Sequence, residues 1–302
     1  MTWQQQLADS ITSPQQLAGH FDIDPAPLRA VATRYPLLIT PHYLGLIDQP
    51  GDPIWRQCVP DLSELAVDDL PEDSLYEHAY APVPAIVHRY PDRALLLVSG
   101  GCAGYCRFCT RKSRIGTRRL CFSRAEIDEG IAYISATAEI RDVILTGGDP
   151  LLLNDAYLGE ILNRIHQVDH VEMIRIGSRV PVTLPDRITP QLCRLLSHFR
   201  PLYVNTHFNH PRELTAESAA ACARLADAGL PLGNQTVLLN GVNDSSGVMI
   251  ALCRGLLKMR VRPYYLHHLD QARGTSHFRV PVERGLKIIA GMRGQVSGLG
   301  IP

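Results

Sequence analysis

Three cysteines, Cys102, Cys106 and Cys109, fall in a CxxxCxxC spacing. Thiolates at that spacing can share an iron–sulfur cluster. A cubane cluster normally takes four thiolates, so three with no local fourth leave one iron open to a ligand or substrate. Zinc is the rival, because a structural zinc takes four protein ligands and a catalytic one takes three plus water; its usual signature, a second cysteine pair further on, is absent. A third reading makes the cysteines small buried hydrophobes. Against it stand Gly100, Gly101 and Gly104, which free the backbone to wrap a ligand, and the apolar run at 94–98 that leads into the motif. A strand that ends in a cysteine loop reads as a site, and a metal cluster is the chemistry that fits best.

Further candidates follow other apolar runs. Thr146-Gly147-Gly148-Asp149-Pro150 pairs glycines, which let main chain come close to a ligand, with an acid that can accept from an ammonium. Gly177-Ser178-Arg179 offers a hydroxyl and a guanidinium. Asn205-Thr206-His207-Phe208-Asn209-His210 holds two histidines three apart; with no partnering carboxylate or third histidine nearby in sequence, hydrogen bonding to a cofactor is favoured over metal ligation. Arg89, Tyr90 and Arg93, expected at the mouth of a barrel, could clamp a phosphate, since guanidinium forks match phosphate oxygens.

The elements that must carry these residues alternate. Strands are expected at 94–98, 142–145, 171–176, 202–205, 235–239 and 262–266. Helices are expected near 123–137, 155–167, 189–199, 214–228, 246–259 and 281–293. Six strand–helix units imply a parallel α/β architecture, and right-handed crossovers could close it into a partial barrel with its function at the carboxyl ends of the strands. Residues 1–90 read as a small helical domain and a wrapping linker, with helix starts at Thr12-Ser13-Pro14 and Asp24-Pro25 and a proline-rich, acidic stretch from Pro53 to Pro84. Residues 91–302 form the core domain.

Composition narrows the classes. The chain has 302 residues, 45% of them apolar, enough for a sizeable core, and its thirty acidic and thirty basic side chains cancel, which gives nucleic-acid or membrane-surface binding no support. The start shows no leader pattern and no apolar run approaches the ~20 residues of a membrane span, so a cytoplasmic protein is expected. Cys58, Cys121, Cys193, Cys222 and Cys253 are scattered singly and read as structural thiols of a reducing compartment.

With Phe108 before the last cysteine, the motif resembles the cluster loop of radical S-adenosylmethionine (SAM) enzymes. Tyr105-Cys106-Arg107-Phe108-Cys109-Thr110-Arg111 resembles the lysine 2,3-aminomutase family in particular, as does the segment from Ile39 to Asp48. The resemblance implies a partial (βα)6 TIM-like barrel with an N-terminal helical domain, a [4Fe-4S] cluster on the three cysteines, and SAM near Gly147, Gly148, Asp149, Ser178, Arg179, His207 and Gln235. It implies pyridoxal 5'-phosphate, its phosphate held by Arg89, Tyr90 and Arg93. It also assigns Arg111 to the carboxylate of an amino acid substrate and Asp270 to its distal ammonium, a pairing of charges that selects a basic amino acid. A flavodoxin or ferredoxin is the implied electron donor, and a homo-oligomer is left open.

Two departures qualify this. The family continues past Pro302 into a loop whose lysine binds pyridoxal phosphate, so the sequence is expected to be a fragment; of only three lysines, Lys112 lies in the cluster loop and Lys258 and Lys287 on helical stretches. Ser245 stands where zinc-carrying members have a cysteine, so no zinc is expected. The favoured expectation is an isomerase that interconverts lysine and β-lysine. A lysine aminomutase that serves an elongation factor, a radical SAM enzyme without pyridoxal phosphate, and a cluster-binding pseudoenzyme are the alternatives.

Overall fold

Alternation of side chains across each strand, one face apolar and the other mixed, governs how this sheet is used. The computed structural model describes residues 2–66 and 69–302. Seven strands, β1 (Ile86–Tyr90), β2 (Arg93–Ser99), β3 (Asp142–Gly147), β4 (Met173–Gly177), β5 (Leu202–Thr206), β6 (Leu232–Leu238) and β7 (Arg262–His268), lie side by side in chain order. β2 to β7 are parallel throughout. The sheet ends on β1 and β7, which do not pair, so the barrel is partial.

Each parallel strand is followed by helix: α6 (Arg124–Ala136), α7 (Asp155–His166), α8 (Val180–Thr183) with α9 (Pro190–Leu196), α10 (Ala216–Asp227), α11 (Ser246–Lys258) and α12 (Val282–Met292). The six expected strand–helix units are therefore present. Helix α7 buries Leu158, Ile161, Leu162 and Ile165, the i, i+3, i+4, i+7 stripe of a helix with one apolar face. Each such side chain contributes about 1.5–3 kcal/mol when fully buried. Ser123 starts α6 with a reciprocal capping box to Glu126, which satisfies donors the first turn leaves unpaired.

On β3, Val143 and Leu145 are buried, while Asp142, Ile144 and Thr146 on the other face are half-exposed. β4 repeats this with Ile174 and Ile176 against Met173, Arg175 and Gly177. Parallel sheets usually bury both faces. Here the inner face stays accessible because the barrel does not close, and polar residues can line it.

Before the barrel come α1 (Trp3–Ala8), α2 (Pro14–Ala18), α3 (Pro25–Arg34), α4 (Pro41–Leu44) and α5 (Pro53–Cys58). The last four begin with proline, preceded by Ser13, Asp24, Thr40 and Asp52 as caps, which joins a preset φ to a satisfied first turn. The proline-rich stretch from Pro53 is thus not linker throughout: it opens with α5 and carries 3-10 turns at Leu62–Leu65 and Glu77–Tyr80. Ile11, Leu17, Ile39, Tyr43 and Ile54 share one buried cluster with the barrel's Leu96, Leu145 and Ile176.

β1 is the element the sequence reading omitted. The segment from Val87 to Arg93 folds back at Pro91–Asp92 and pairs antiparallel with β2, Tyr90 opposite Arg93. Arg89, Tyr90 and Arg93 consequently flank a turn at the amino end of β2, not the carboxyl-end mouth. Six residues of strand, roughly 20 Å, separate Arg93 from Ser99, where the cysteine loop begins.

Candidate active site

The cysteine loop leaves β2 at Ser99 and reaches α6 at Arg124. Its path is fixed by main-chain hydrogen bonds to the N-terminal helices: Tyr105 N–H donates to Leu38 O and Arg107 N–H to Gln57 O. Cys102, Cys106 and Cys109 are half-buried free thiols. Burial pushes the Cys102 thiol up, and Asp149, Cys109 and Cys106 push it the same way; burial and then Cys106 raise Cys109 to about 11. Thiols that oppose one another's ionisation in a partly dry site are suited to a cation that neutralises them. Among the described residues no three His, Cys, Asp or Glu side chains are gathered tightly enough to hold a single metal ion. Three half-buried thiols on one loop are the donor set that a cluster with one open iron would take.

The glycines after β3 serve the loop first. Gly148 N–H donates to Ser99 O at 2.5 Å and Asp149 N–H to Gly101 O at 2.7 Å. A Cβ on Gly148 would collide with the Gly101 main chain, and Gly147 has φ +116°, a left-handed region that favours glycine. The paired glycines therefore seat the cysteine loop against the end of β3. Asp149 is buried, and its carboxylate accepts from Ser178 Oγ at 2.8 Å, Arg179 N–H at 2.8 Å and Leu151 N–H at 3.1 Å. Burial raises its pKa against the pull of these donors. Asp149 and Ser178 thereby tie the ends of β3 and β4 together.

Arg179 stands at the centre. Its Nη1 donates to Cys106 Sγ at 2.8 Å, Nη2 lies within reach of Tyr43 OH, Gln57 Oε1 and Glu213 Oε1 at 3.0, 2.7 and 2.8 Å, and Nε donates to His207 O at 3.2 Å. Glu213 is fully buried. Three segments far apart in sequence thus aim one guanidinium at the Cys106 sulfur.

His207 packs edge-on against Phe108 with ring centroids 5.5 Å apart. Its Nε2 is buried without a partner, and burial, with Arg179 and His267 adding to it, lowers its pKa to about 3. A neutral, unpartnered ring nitrogen beside the cysteine loop is a place for a polar ligand atom, which suits SAM. His210 is occupied elsewhere, its Nδ1 accepting from Arg212 N–H, so the two histidines do not form a pair. Gln235 lies on the half-exposed face of β6 with Gly233 and Val237.

Arg111 donates from Nε and Nη2 to Glu77 and from Nη1 to Thr146 Oγ1 and Gly147 O. Asp270 follows β7 and is exposed as a residue; partial desolvation of its carboxyl by neighbouring groups raises its pKa despite His267, His268 and Arg89. A cavity of about 290 Å³ is lined by Glu77, Arg89, Tyr90, Arg93, Arg175, Tyr264 and Tyr265 among others. Its guanidiniums and tyrosine rings fit a phosphate and a flat ring. No described lysine lines it: Lys112 Nζ is buried against Glu64 and Gly274 O, and Lys258 and Lys287 are exposed on α11 and α12. The cavity thus fits the phosphate of pyridoxal phosphate without supplying its covalent anchor.

Glu64, Glu77, Glu213, Tyr43 and Gln57 are the residues the sequence reading missed. The carboxylates carry no motif, and Glu64 and Glu77 are hidden among other acidic residues of a proline-rich stretch.

Comparison with known proteins gives first the class. The model of the radical SAM superfamily matches residues 96–252. A radical SAM methyltransferase from Sphaerobacter thermophilus shares the fold, with a TM-score of 0.51 and 20% identity over 72% of this chain and 67% of that one. The L-lysine 2,3-aminomutase of Fusobacterium nucleatum is 46% identical over 306 residues, covering 99% of this chain and 72% of that protein. The glutamate 2,3-aminomutase of Clostridioides difficile is 45% identical over 277 residues, 91% of this chain and 66% of that protein. The chain belongs to the lysine 2,3-aminomutase family of radical SAM enzymes. Among the described residues no helix is long and apolar enough to cross a membrane.

Proposed function

We propose that this protein is an L-lysine 2,3-aminomutase. The observation that carries the proposal is the pairing of opposite charges on two rim loops, the Arg111 guanidinium beyond the cysteines and the exposed Asp270 carboxylate after β7. Arg111 binds the carboxylate of the substrate and Asp270 its distal ammonium. A glutamate would meet Asp270 with a like charge, which is costly, so lysine is favoured over the substrate named for the C. difficile relative.

Cys102, Cys106 and Cys109 hold a [4Fe-4S] cluster in this reading, and Arg179 fixes the orientation of Cys106. Gly147, Gly148, Asp149, Ser178, His207 and Gln235 frame the space for SAM, with His207 Nε2 as an acceptor inside it. Arg89, Tyr90 and Arg93, at the amino-end side of the cavity whose lining also includes Glu77, would hold the phosphate of pyridoxal phosphate. When bound, these groups would supply one-electron chemistry that moves an amino group between adjacent carbons. The chain's own part is to grip both ends of the substrate, hold the cysteine loop rigid against β3, and keep the site half-dry so that charge pairs are strong. A flavodoxin or ferredoxin would deliver the electron, and the free thiols suit the cytoplasm. The N-terminal helices through residue 90 act as the domain that closes the cysteine loop, and the remainder as the core.

The test is anaerobic reconstitution with iron and sulfide, followed by reduction in the presence of SAM, pyridoxal phosphate and lysine. β-Lysine formation and a reducible cluster are expected. A reducible cluster that cleaves SAM without making β-lysine would leave a radical SAM enzyme of other chemistry; a cluster that never cleaves SAM would leave a pseudoenzyme. The metabolic form and the form that supplies β-lysine to an elongation factor would both release β-lysine in this assay.

A further inference from the structure

Arg111 has company that its assigned role does not require. Nε donates to both oxygens of Glu77 at 2.9 Å and Nη2 to Oε1 at 2.5 Å. Nη1 donates to Thr146 Oγ1 at 3.3 Å and Gly147 O at 3.1 Å. Of the five N–H donors of an arginine, one on Nη2 is left. Arg114 Nη2 also donates to Glu77 Oε2. The Glu77 side chain is only 3% exposed, against 12% for Arg111 and 20% for Arg114. Two guanidiniums and one carboxylate leave this end of the site with a single net positive charge.

Glu77 also sits on a segment with a second tie. The stretch from Leu70 to Tyr80 is held by Arg273, whose N–H donates to Pro71 O at 3.0 Å and Nε to Leu70 O at 3.1 Å. Arg273 lies three residues beyond Asp270, on the same loop. One strap therefore joins the loop that carries Arg111 to the loop that carries Asp270.

We propose that Glu77 is a positioning and specificity-determining residue: it orients Arg111 and cancels one of two positive charges, so that the carboxylate end of the pocket accepts one carboxylate at a set distance from Asp270. The inference rests on the reading of Arg111 as the substrate carboxylate anchor. Removing the charge of Glu77 leaves two uncompensated guanidiniums, a site that loosens its hold on the lysine carboxylate geometry and gains attraction for a dicarboxylate. Simple displacement of Glu77 by substrate is disfavoured, because both arginines would lose a buried partner.

Glu77→Gln keeps an oxygen acceptor for the fork and removes the charge. In the reconstituted holoenzyme it is expected to raise the KM for lysine about tenfold, with kcat changed less than about threefold, through loss of a charge-assisted contact. Glutamate, expected to compete only weakly in the parent because of Asp270, should inhibit the variant about tenfold more strongly. Labelled lysine in equilibrium dialysis should show the same loss without turnover. Glu77→Asp, which restores the charge on a shorter arm, should recover part of both effects and stands in if the glutamine variant fails to load a cluster. An unchanged lysine KM in either variant would overturn the inference, and a lowered KM would make Glu77 a competitor of the substrate instead. Arg111→Gln separates the two levels: if it binds lysine like the parent, the Arg111 reading fails and takes the Glu77 role with it; if it loses lysine while Glu77→Gln keeps it, only the Glu77 role falls.

Discussion

Asp270 is worth following as a single residue because its charge is conditional. Partial desolvation raises its pKa while His267, His268 and Arg89 pull it down, and the net shift is upward. The ammonium grip needs the ionised form. It should therefore be complete at neutral pH and fade as pH falls through the raised pKa, at a higher pH than for an ordinary carboxylate. The KM for lysine should climb on the acid side while Asp270→Asn gives a flat profile at a KM about 10- to 100-fold higher, the worth of a hydrogen bond to a charged group; KM measured from pH 5 to 9 reads both. At this scale the sequence disclosed what is local. The spacing of three cysteines within one loop suggests a cluster, whereas Arg111 draws its assignment from the family resemblance and not from its position alone. The groups that hold the site's arginines carry no such signal: Glu77 is 34 positions from Arg111, and Tyr43 is 136 positions from Arg179. Only folding brings such pairs together, so no pattern in the chain announces them.

Among elements, the junction of the cysteine loop with the end of β3 bears the most on function. Gly148 meets backbone rather than a flexible side chain, so a methyl group there must move one of two main chains. Gly148→Ala should keep the parent's circular dichroism yet lose most of its reconstituted cluster absorbance. Gly247→Ala, on α11 with nothing within 4 Å of the added carbon, should load the cluster fully and gain up to about 1 kcal/mol in stability from helix propensity. Equal cluster loading in the two variants would show that the close approach does not matter. The six strand–helix units were legible because apolar runs alternated with amphipathic stretches. β1 was not, since a two-residue turn left both of its arms reading as one polar, arginine-bearing segment. α5 was hidden by composition: proline at its first position is a helix start when an aspartate caps it, but the same proline in an acidic run reads as linker.

Taken whole, the molecule is held by one buried cluster that runs from the N-terminal helices through the barrel, and its thiols are part of that packing. Cys58, Cys222 and Cys253 are buried, and Cys58 lies near Arg179 and Cys106 of the site. Burial drives the Cys58 thiol far up, Cys222 to about 12 and Cys253 to about 11, from an ordinary value of 9.0. A buried thiol cannot ionise without solvation, whereas the unfolded chain ionises freely. Below pH 9 both states keep these protons and stability is at its full value. Above it the unfolded state releases them first, binds fewer protons than the native state, and is favoured progressively until the native thiols themselves titrate. Each group can contribute up to about 1.4 kcal/mol per pH unit in that window. The thermal midpoint should therefore fall steeply from pH 9 to 11, and a Cys222→Ala/Cys253→Ala variant, though less stable at pH 7 through lost packing, should fall less steeply. Parallel curves for variant and parent would mean that these thiols ionise in the native state, and that the core around them admits water.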